Sequence, residues 1–469
     1  MRVIGYLTLY GNYLLSSTDP FYYHVVNVFI HLLNGLVIYK LYFVICDYLR
    51  IKPQTKFILF VLAIWMLQPL NTQAVTYVVQ RIAAMVALFS LMSLLSYLKW
   101  RTTKHTLWLI FAFFAFILAM LTKQNAAFLP VFIILMEISF AQKLVSKRLI
   151  FTGGISFFIF MLVYPFIGSF LHQLDVATRE SQVITRFDYF NTQLTVHWLY
   201  LKKFLLMAPL TLTMDVILVK NETLILFAYF IHLSVIFLAT YFKKSQPLIF
   251  FMVVFYYCAH LVESSIVPIT DLAFEHRTYL PNVAISFIFV SLLSNFFDKI
   301  KISSQVNYLI SSFILILLAV TTYQRNVLWQ KPQDFYKNEY KVAPKNPRNL
   351  EAMGRLYAEQ GNLNKAVAML SDSLNLNFKQ GKLTASSVTN LMKVFTMQGN
   401  YQGAVITGQK SLLYIKKPAN KSQILSAMAF AYSKMNLCPF AFGLANTAKR
   451  LNPYNQEAQK IITYCKDKK

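Results

Sequence analysis

The stretch of sequence that decides the fold is ESSIVPITDLAFEHRTYLPN, residues 263–282. It lies between two apolar runs, 247–262 and 281–297, each close to the length needed to cross a bilayer. Its ionisable residues are Glu263, Asp271, Glu275, His276 and Arg277. Since ionisable groups at a membrane boundary are costly, this concentration of charge indicates a functional site. The alternative interpretation is a solvated loop between two helices.

The composition indicates an integral membrane protein. Of the 469 residues, 57% are hydrophobic and only 14% are charged, and the mean hydropathy is +0.48. Soluble domains carry roughly 25% charged residues. The net charge is +26, and in the apolar part of the chain Lys and Arg collect in short loops beside apolar runs. That pattern is typical of orientation signals and anionic lipid contact, so we expect a membrane and not a nucleic acid as partner.

A series of apolar runs predicts an all-α, polytopic membrane helix bundle of about ten spans plus one re-entrant helix. The run 193–208 contains His197, Lys202 and Lys203 and is followed by Pro209, so we interpret it as the re-entrant or amphipathic helix. The runs are 24–46, 57–70, 82–99, 107–121, 126–141, 150–171, 193–208, 223–241, 248–262, 281–297 and 305–322. Residues 1–21 are interrupted by Gly5, Gly11 and a polar end, and they predict neither a span nor a signal peptide.

Basic loops predict the orientation. Lys and Arg collect at 50–56, 99–104 and 143–148, which places these loops in the cytoplasm. If the run 193–208 enters and leaves on the outer side, the lysines at 243–244 and 299–301 are also cytoplasmic. Residues 263–282 and everything after residue 322 then face outward.

The last third of the chain contains helical repeats. Three related units place Gly361, Gly399 and Asn436 at the turn between two helices. Ala366, Ala404 and Ala441 then lie at the matching position of each second helix. Small residues allow close helix packing, and this pattern is typical of tetratricopeptide repeats. We assign 1–322 to the membrane domain, 323–344 to a linker or first helix, and 345–469 to a repeat domain that binds a peptide or protein.

Four ordered motifs give the membrane part a family resemblance. They are DPFYYHVVNVFIHLLNGL (19–36), QPLNTQAVTYVVQRIAAMVALFSLMSLLSYL (68–98), LAMLTKQNAAFLPVFIILME (118–137) and FEHRTYLP (274–281). Together they resemble the transmembrane-and-TPR protein O-mannosyltransferases and their bacterial relatives, in the GT-C glycosyltransferase superfamily. The resemblance implies transfer of a sugar from a polyprenyl-phosphate carrier to an acceptor hydroxyl, outside the cytoplasm.

Outward-facing cations would bind the phosphate of such a donor. Low dielectric at the lipid boundary strengthens their attraction to phosphate. The candidates are Arg81, Lys123, His276 and Arg277, and we expect Glu275 or His276 to orient Arg277. For Arg81 and Lys123 the alternative is contact with lipid headgroups.

Three polar residues share one face near the outer end of the first predicted span. His24, Asn27 and His31 follow helical spacing and predict hydrogen bonds to a sugar or to phosphate. Interhelical hydrogen bonding within the bundle is the alternative for the two histidines.

The sequence departs from the family in its acids. The resemblance implies an initial span and an acidic outer loop upstream of His24, where the catalytic carboxylate lies, and both are lacking here. Asp19 is the sole acid before His24 and is the weak catalytic candidate. We therefore expect these 469 residues to be inactive alone, and an upstream extension that supplies a span and an acidic loop to restore transfer.

Three functions remain open from the sequence. The first is a glycosyltransferase that takes a lipid-linked sugar and modifies a protein or glycan. The second is an O-antigen or oligosaccharide ligase or polymerase, and the third is a non-catalytic, membrane-anchored repeat scaffold. We expect a multi-pass protein of the bacterial inner membrane with periplasmic repeats. Cysteine and histidine spacing predicts no metal site, and the sequence leaves any divalent metal requirement undetermined.

The orientation can be tested with a reporter fusion. Alkaline phosphatase fused after Lys469 should be active, because the enzyme folds only outside the cytoplasm. The same reporter fused after Lys104 should be inactive. A fluorescent reporter that works only in the cytoplasm and is bright after Lys469 would reverse the orientation of the second half.

Overall fold

The computed structural model describes residues 2–140, 184–207, 209–265, 267–269, 271–380 and 383–467. Throughout these residues the regular structure is helical, so the predicted all-α class is confirmed. The predicted run 150–171 and the basic loop 143–148 lie outside the described residues. The chain divides into two compact units, Met1–Gln330 and Lys331–Lys469.

The first unit contains twelve α-helices among its described residues. They are α1 (Val3–Ser16), α2 (Pro20–Leu49), α3 (Thr55–Leu67), α4 (Thr72–Thr76), α5 (Arg81–Thr103), α6 (Thr106–Thr122), α7 (Phe128–Phe140), α8 (Arg186–Leu206), α9 (Glu222–Tyr241), α10 (Pro247–His260), α11 (Pro281–Lys299) and α12 (Ser304–Trp329). Short 3-10 turns occur at Pro69–Asn71, Val78–Gln80, Gln124–Ala127, Phe242–Lys244 and Glu275–Thr278.

Helix α1 is not among the candidate membrane spans, but it is continuous through Gly5 and Gly11. Gly5 does not interrupt this helix but lies at its contact with α5, where an added Cβ would come within 2.5 Å of the Ile82 side chain. Glycine therefore allows the close approach of two helices at this position, although its low helix propensity by itself favours a break.

Five helices of the described chain are long and apolar enough to cross a membrane, and a bent pair makes a sixth. The bend, of 52°, joins Thr55–Leu67 to Pro69–Thr76. Shorter apolar helices are Thr106–Thr122, Gln124–Phe140 and Pro247–His260. Helix α8 is not among the candidate spans, and one of its faces is buried. The count of about ten spans and the re-entrant role of α8 stay predictions.

Some helices have apolar faces that the unit does not cover. On α12, the side chains of Leu309, Phe313 and Ile316 are each more than half exposed and follow helical spacing. On α9, Phe230 and Phe237 are exposed in the same way. Continuous apolar faces of this kind are what a hydrocarbon environment covers, and they agree with the membrane character inferred from composition.

The second unit is an array of helical hairpins. Its helices are α13 (Pro332–Val342), α14 (Pro347–Glu359), α15 (Leu363–Lys379), α16 (Ala385–Met397), α17 (Tyr401–Leu412), α18 (Pro418–Lys434), α19 (Cys438–Leu451) and α20 (Gln456–Lys466). Each helix contacts the next along the chain. The three alanines predicted at the packing position, Ala366, Ala404 and Ala441, are fully buried.

The turns of the array have the predicted backbone conformation. Gly361 and Gly399 have φ of +77° and +78°, and Asn436 has φ of +60°. Left-handed φ is accessible to glycine and tolerated by asparagine, which explains why these residue types recur at the turn. The helical-repeat interpretation is thus supported by the geometry of the chain itself.

Glycine substitutions test this account of the array. Gly361→Ala and Gly399→Ala should each destabilise the protein by about 1–2 kcal/mol, because alanine is strained at positive φ. Space is not limiting, since nothing lies within 4 Å of either added Cβ. The control is Gly443→Ala, which also meets open space but lies within helix α19 and should stabilise by roughly 0.5–1 kcal/mol. Unfolding of the full chain in detergent measures all three, and equal effects would contradict the turn assignment.

Candidate functional site

Residues 263–282 connect α10 to α11 and turn inward in their second half. Glu275, His276 and Arg277 lie on the 3-10 turn and are 1%, 8% and 7% exposed. Glu263, just beyond the end of α10, is also buried. The solvated-loop alternative is therefore wrong for these four residues. Their charges are enclosed by protein, so each must be neutralised or hydrogen-bonded internally.

Contacts to three other segments fix this stretch in place. Nδ1 of His31 lies 2.7 Å from the Tyr279 hydroxyl, and the Trp65 indole donates to the Tyr279 carbonyl at 3.2 Å. The Asn282 amide donates to Oδ1 of Asn71 at 2.7 Å, where the bent α3–α4 pair changes direction. The quoted motifs around residues 31, 71 and 279 thus meet in space.

Lys123 and Arg277 both approach the carboxylate of Glu263. The Lys123 Nζ lies 2.6 Å from Glu263 Oε1, and the Arg277 Nε lies 4.0 Å from the same oxygen. The first is a strong ion pair, whereas the second is too long for a hydrogen bond. Lys123 comes from the turn between α6 and α7, so the pair joins segments far apart in sequence.

Arg277 is held by backbone carbonyls. Its terminal nitrogens donate to the Leu272 carbonyl at 3.3 Å and to the Asp271 carbonyl at 2.9 Å. Its guanidinium also lies over the Phe274 ring, 5.4 Å from the centroid. The Nε–H is left without a hydrogen-bond partner among the described residues. A buried donor in this state is unusual and marks a place for a ligand or a water molecule.

His276 lies beside this group. Its backbone N–H donates to Oε1 of Gln73 at 2.8 Å, and its ring stacks on Phe274 with centroids 5.1 Å apart. Burial and the Lys123 ammonium hold the pKa of the imidazole well below its ordinary value. The ring is therefore neutral at pH 7 and acts as a hydrogen-bonding group, not as a cation.

The hydrogen-bond partners of Glu275 are not those of Arg277. Its Oε1 accepts from Lys203 Nζ at 3.1 Å and from the Thr211 backbone amide at 2.6 Å. Burial raises the pKa of this carboxyl above its ordinary value, against the opposing effect of Lys203. Glu275 therefore does not orient Arg277, because its side chain contacts α8 and the segment after it. Of the two predicted orienting residues, His276 stays a prediction.

The electrostatics of Glu263 differ from those of Glu275. Burial alone would raise the pKa of Glu263, but the Lys123 ammonium and the Arg277 guanidinium lower it below the ordinary value for a carboxyl. Glu263 is therefore a carboxylate at neutral pH. Two cations act on one buried anion, and that arrangement is the electrostatic centre of the site.

A small cavity adjoins this centre. Its volume is about 20 Å³, and its wall includes Lys123, Glu263, His276 and Arg277. The wall also includes Ser90 and Asn125, whose side-chain oxygens lack hydrogen-bond partners in the part of the chain that the structure describes. A polar cavity of this size holds about one water molecule. Three buried polar atoms without partners, including Arg277 Nε, thus line one space.

Arg81 is hydrogen-bonded within the helix bundle. It is fully buried and donates to the side chains of Asn27 at 2.6 Å and Asn12 at 2.5 Å. It also donates to the backbone carbonyls of Thr8 and Tyr23. These bonds join α1, α2 and α5, so the geometry favours helix packing over phosphate binding or headgroup contact.

The polar face of α2 is also used within the bundle. Asn27 donates to the Val75 carbonyl at 2.9 Å, and Nε2 of His31 lies 3.2 Å from the Met66 carbonyl. Both ring nitrogens of His31 thus contact other segments of the bundle, as the interhelical alternative predicts. His24 is half-buried near the start of α2. Asp19 caps that helix, accepting from the Phe21 backbone amide at 3.0 Å.

Sequence reasoning missed the central role of Glu263 and the roles of Lys203 and Gln73. Glu263 belongs to the opening stretch, but no motif singles it out from the other outward acids. Gln73 falls within the quoted motif 68–98. Lys203 carries no signal, since a lysine in a weakly apolar run is expected at a surface. Among described residues, no group of three or more His, Cys, Asp or Glu side chains is placed to hold a metal ion.

Comparison of the chain with protein-family models finds no match, and comparison with curated proteins finds none either. Among solved structures, a chain of the crystal structure of the APC/C hetero-tetramer Cut9-Hcn1 matches at 13% sequence identity, with a TM-score of 0.28. The match covers 59% of this chain and 53% of that chain, so this chain spans about half the length of that protein.

A double-mutant cycle tests the ion pair at the centre of the site. Lys123→Ala and Glu263→Ala should each cost about 3–5 kcal/mol, because each leaves a buried charge without its partner. The double variant should be less destabilised than the sum of the two. Denaturant unfolding of the purified chain in detergent measures the cycle.

The control pair for this cycle is Arg101 and Glu137, which are also 2.6 Å apart but are more exposed. Its coupling should be smaller, because solvent screens it. Additivity of Lys123→Ala and Glu263→Ala to within about 0.5 kcal/mol would contradict the assignment.

Proposed function

We propose that this protein is a membrane glycosyltransferase that moves a sugar from a polyprenyl-phosphate-linked donor to a hydroxyl of a protein or glycan. The observation that carries the proposal is the convergence of Lys123 and Arg277 on a polar cavity with unpartnered atoms. Both cations are more than nine-tenths buried. Buried, pre-positioned cations are what an anionic group at a lipid boundary requires.

The chemistry of transfer gives these cations a role beyond binding. When the bond between the anomeric carbon and the phosphate oxygen breaks, the phosphodiester becomes a monoester and gains negative charge. Lys123 and Arg277 would stabilise this developing charge, and such stabilisation lowers the barrier when the groups are already in place. His276, neutral and next to the cavity, would hydrogen-bond the phosphate or the sugar.

Transfer to a hydroxyl also needs a base that accepts the acceptor's proton. Asp19 is the sequence candidate, and its carboxylate caps α2. Capping occupies one oxygen and leaves the residue exposed. Asparagine caps a helix as well as aspartate does. Asp19→Asn therefore removes a base while keeping the helix end intact, so it separates the two roles.

The membrane placement belongs to the same proposal. The cluster and the repeat array would face the outer side of a bacterial inner membrane, where lipid-linked sugars and periplasmic acceptors meet. The array would bind the protein that carries the acceptor hydroxyl, because stacked helical hairpins offer an extended binding surface.

A scaffold without catalytic activity is the second candidate. It is favoured by the internal bonds of Arg81, Lys203 and Glu275, which explain these charges by packing alone. The related ligase or polymerase alternative would use a pyrophosphate-linked donor at the same cations. Donor preference in a transfer assay separates the two enzymes, and the lack of any transfer favours the scaffold.

Substitution of Arg277 tests the enzyme proposal. Arg277→Ala should abolish transfer, whereas Arg277→Lys should retain a fraction, because lysine keeps the charge but loses the planar fork. Since Arg277 also binds two backbone carbonyls, Arg277→Ala should lower stability as well, and Arg277→Lys is the more informative variant. The assay is glycosylation of a co-expressed acceptor by the full chain, with and without an upstream extension.

The Asp19→Asn variant is measured beside these. If the 469-residue chain transfers sugar strongly and its Asp19→Asn variant does not, Asp19 is the base. Full transfer by a folded Arg277→Ala variant would overturn the proposed phosphate site.

A further inference from the structure

Glu263 holds the position that an external anion would take. A site built for phosphate brings cations to one point, and here that point is occupied by a carboxylate of the chain itself. Lys123 contacts this carboxylate directly, at 2.6 Å. The adjoining cavity, about 20 Å³, has room for a water molecule and not for a phosphate group. Phosphate therefore cannot enter beside Glu263 as the site stands.

The carboxylate is an incomplete substitute for phosphate. Its Oε1 bonds Lys123 but lies 4.0 Å from Arg277 Nε, beyond hydrogen-bond reach. The Nε–H of Arg277 is buried and unsatisfied by any described residue, as are the side-chain oxygens of Ser90 and Asn125. A phosphate group, with more oxygens spread over a larger volume, can contact Lys123 and Arg277 together. A bound phosphate would give the Arg277 Nε–H and the Ser90 hydroxyl an acceptor that Glu263 does not supply.

We propose that the Glu263 carboxylate is an internal competitor for the donor phosphate, and that a phosphate ester displaces it from Lys123 when it binds. This inference rests on the proposed function for the identity of the ligand. Glu263 then keeps the buried cations neutralised when no donor is present, and sets how tightly the donor is held. Loss of the carboxylate destabilises the empty protein and strengthens binding of the phosphate ester.

Glu263→Gln separates this role from a purely structural one. The variant keeps the shape of the side chain and removes its charge. Purified full chain in maltoside detergent, free of phospholipid, is titrated with farnesyl phosphate in a calorimeter. We expect Glu263→Gln to bind about tenfold more tightly than the wild type, within the usual range of coupling between two competing ligands. Farnesyl phosphate should also raise its unfolding temperature more than that of the wild type.

The matched control is Glu137→Gln. Glu137 is a partly buried carboxylate, also 2.6 Å from a cation, Arg101, and it lies on α7 outside the wall of the cavity. Its loss should leave farnesyl phosphate affinity unchanged. Adding Lys123→Ala to Glu263→Gln should reverse the gain, because the released ammonium is what binds the ester.

Two further titrations identify the ligand, and one further variant is measured if Glu263→Gln does not fold. Inorganic phosphate and phosphatidylglycerol, titrated separately, tell a free phosphate or a lipid headgroup from a prenyl ester. Should Glu263→Gln not fold, Glu263→Asp withdraws the carboxylate from Lys123 by one methylene, and its affinity should rise by a smaller factor. A folded Glu263 variant whose affinity for every phosphate ligand is equal to or below that of the wild type overturns the inference.

Failure of the inference and failure of the proposed function give different results. If the wild type transfers sugar and Glu263→Gln binds no more tightly, competition is wrong and the enzyme proposal stands. If Glu263→Gln gains affinity while no form, with or without the upstream extension, transfers sugar, the anion exchange is real and the enzyme proposal fails. If neither form binds any phosphate ligand, both are wrong.

Discussion

The buried charge of Glu263, Lys123 and Arg277 is the constraint on which the first unit depends. A carboxylate, an ammonium and a guanidinium are removed from water here, and each would be costly alone. Glu263 neutralises Lys123, and Arg277 is held by two backbone carbonyls and the Phe274 ring. These contacts require the α6–α7 turn, the end of α10 and the 3-10 turn to be in one place. The packing of the surrounding helices has to satisfy that requirement.

Three further ionisable groups of the first unit also bond partners from distant segments. Lys203 and Glu275 pair between α8 and the 3-10 turn, and Arg81 joins α1, α2 and α5. In each case an ionisable side chain bonds partners from distant segments. Apolar packing between helices in a membrane provides little direction, so such bonds are well suited to fix which helices meet. These few charged side chains help to determine which helices pack against one another.

The Glu263 centre differs from Arg81 and Glu275 in its unsatisfied hydrogen-bonding capacity. Arg81 makes four hydrogen bonds, and Glu275 accepts two. At the Glu263 centre, by contrast, Arg277 Nε, Ser90 and Asn125 have buried atoms without partners among the residues described. Structural polar groups in a protein interior are usually satisfied. Unlike Arg81 and Glu275, Arg277 therefore has a buried atom without a partner among the described residues, and the proposed site rests on that difference.

The sequence by itself determined the all-α class, the helical-repeat character of the last third and the residues at its turns, because these depend on local chain properties. Periodic apolar residues specify helices, and positive φ at Gly361 and Gly399 is a local backbone requirement. It also identified residues 263–282 as the place where charge collects. Only the tertiary structure decided which charges meet. Lys123, Arg81 and Lys203 look alike in sequence, yet each has a different partner, since an ion pair depends on distance in space and not on spacing along the chain. That Glu263 pairs with Lys123, and Glu275 with Lys203, follows from how the helices pack.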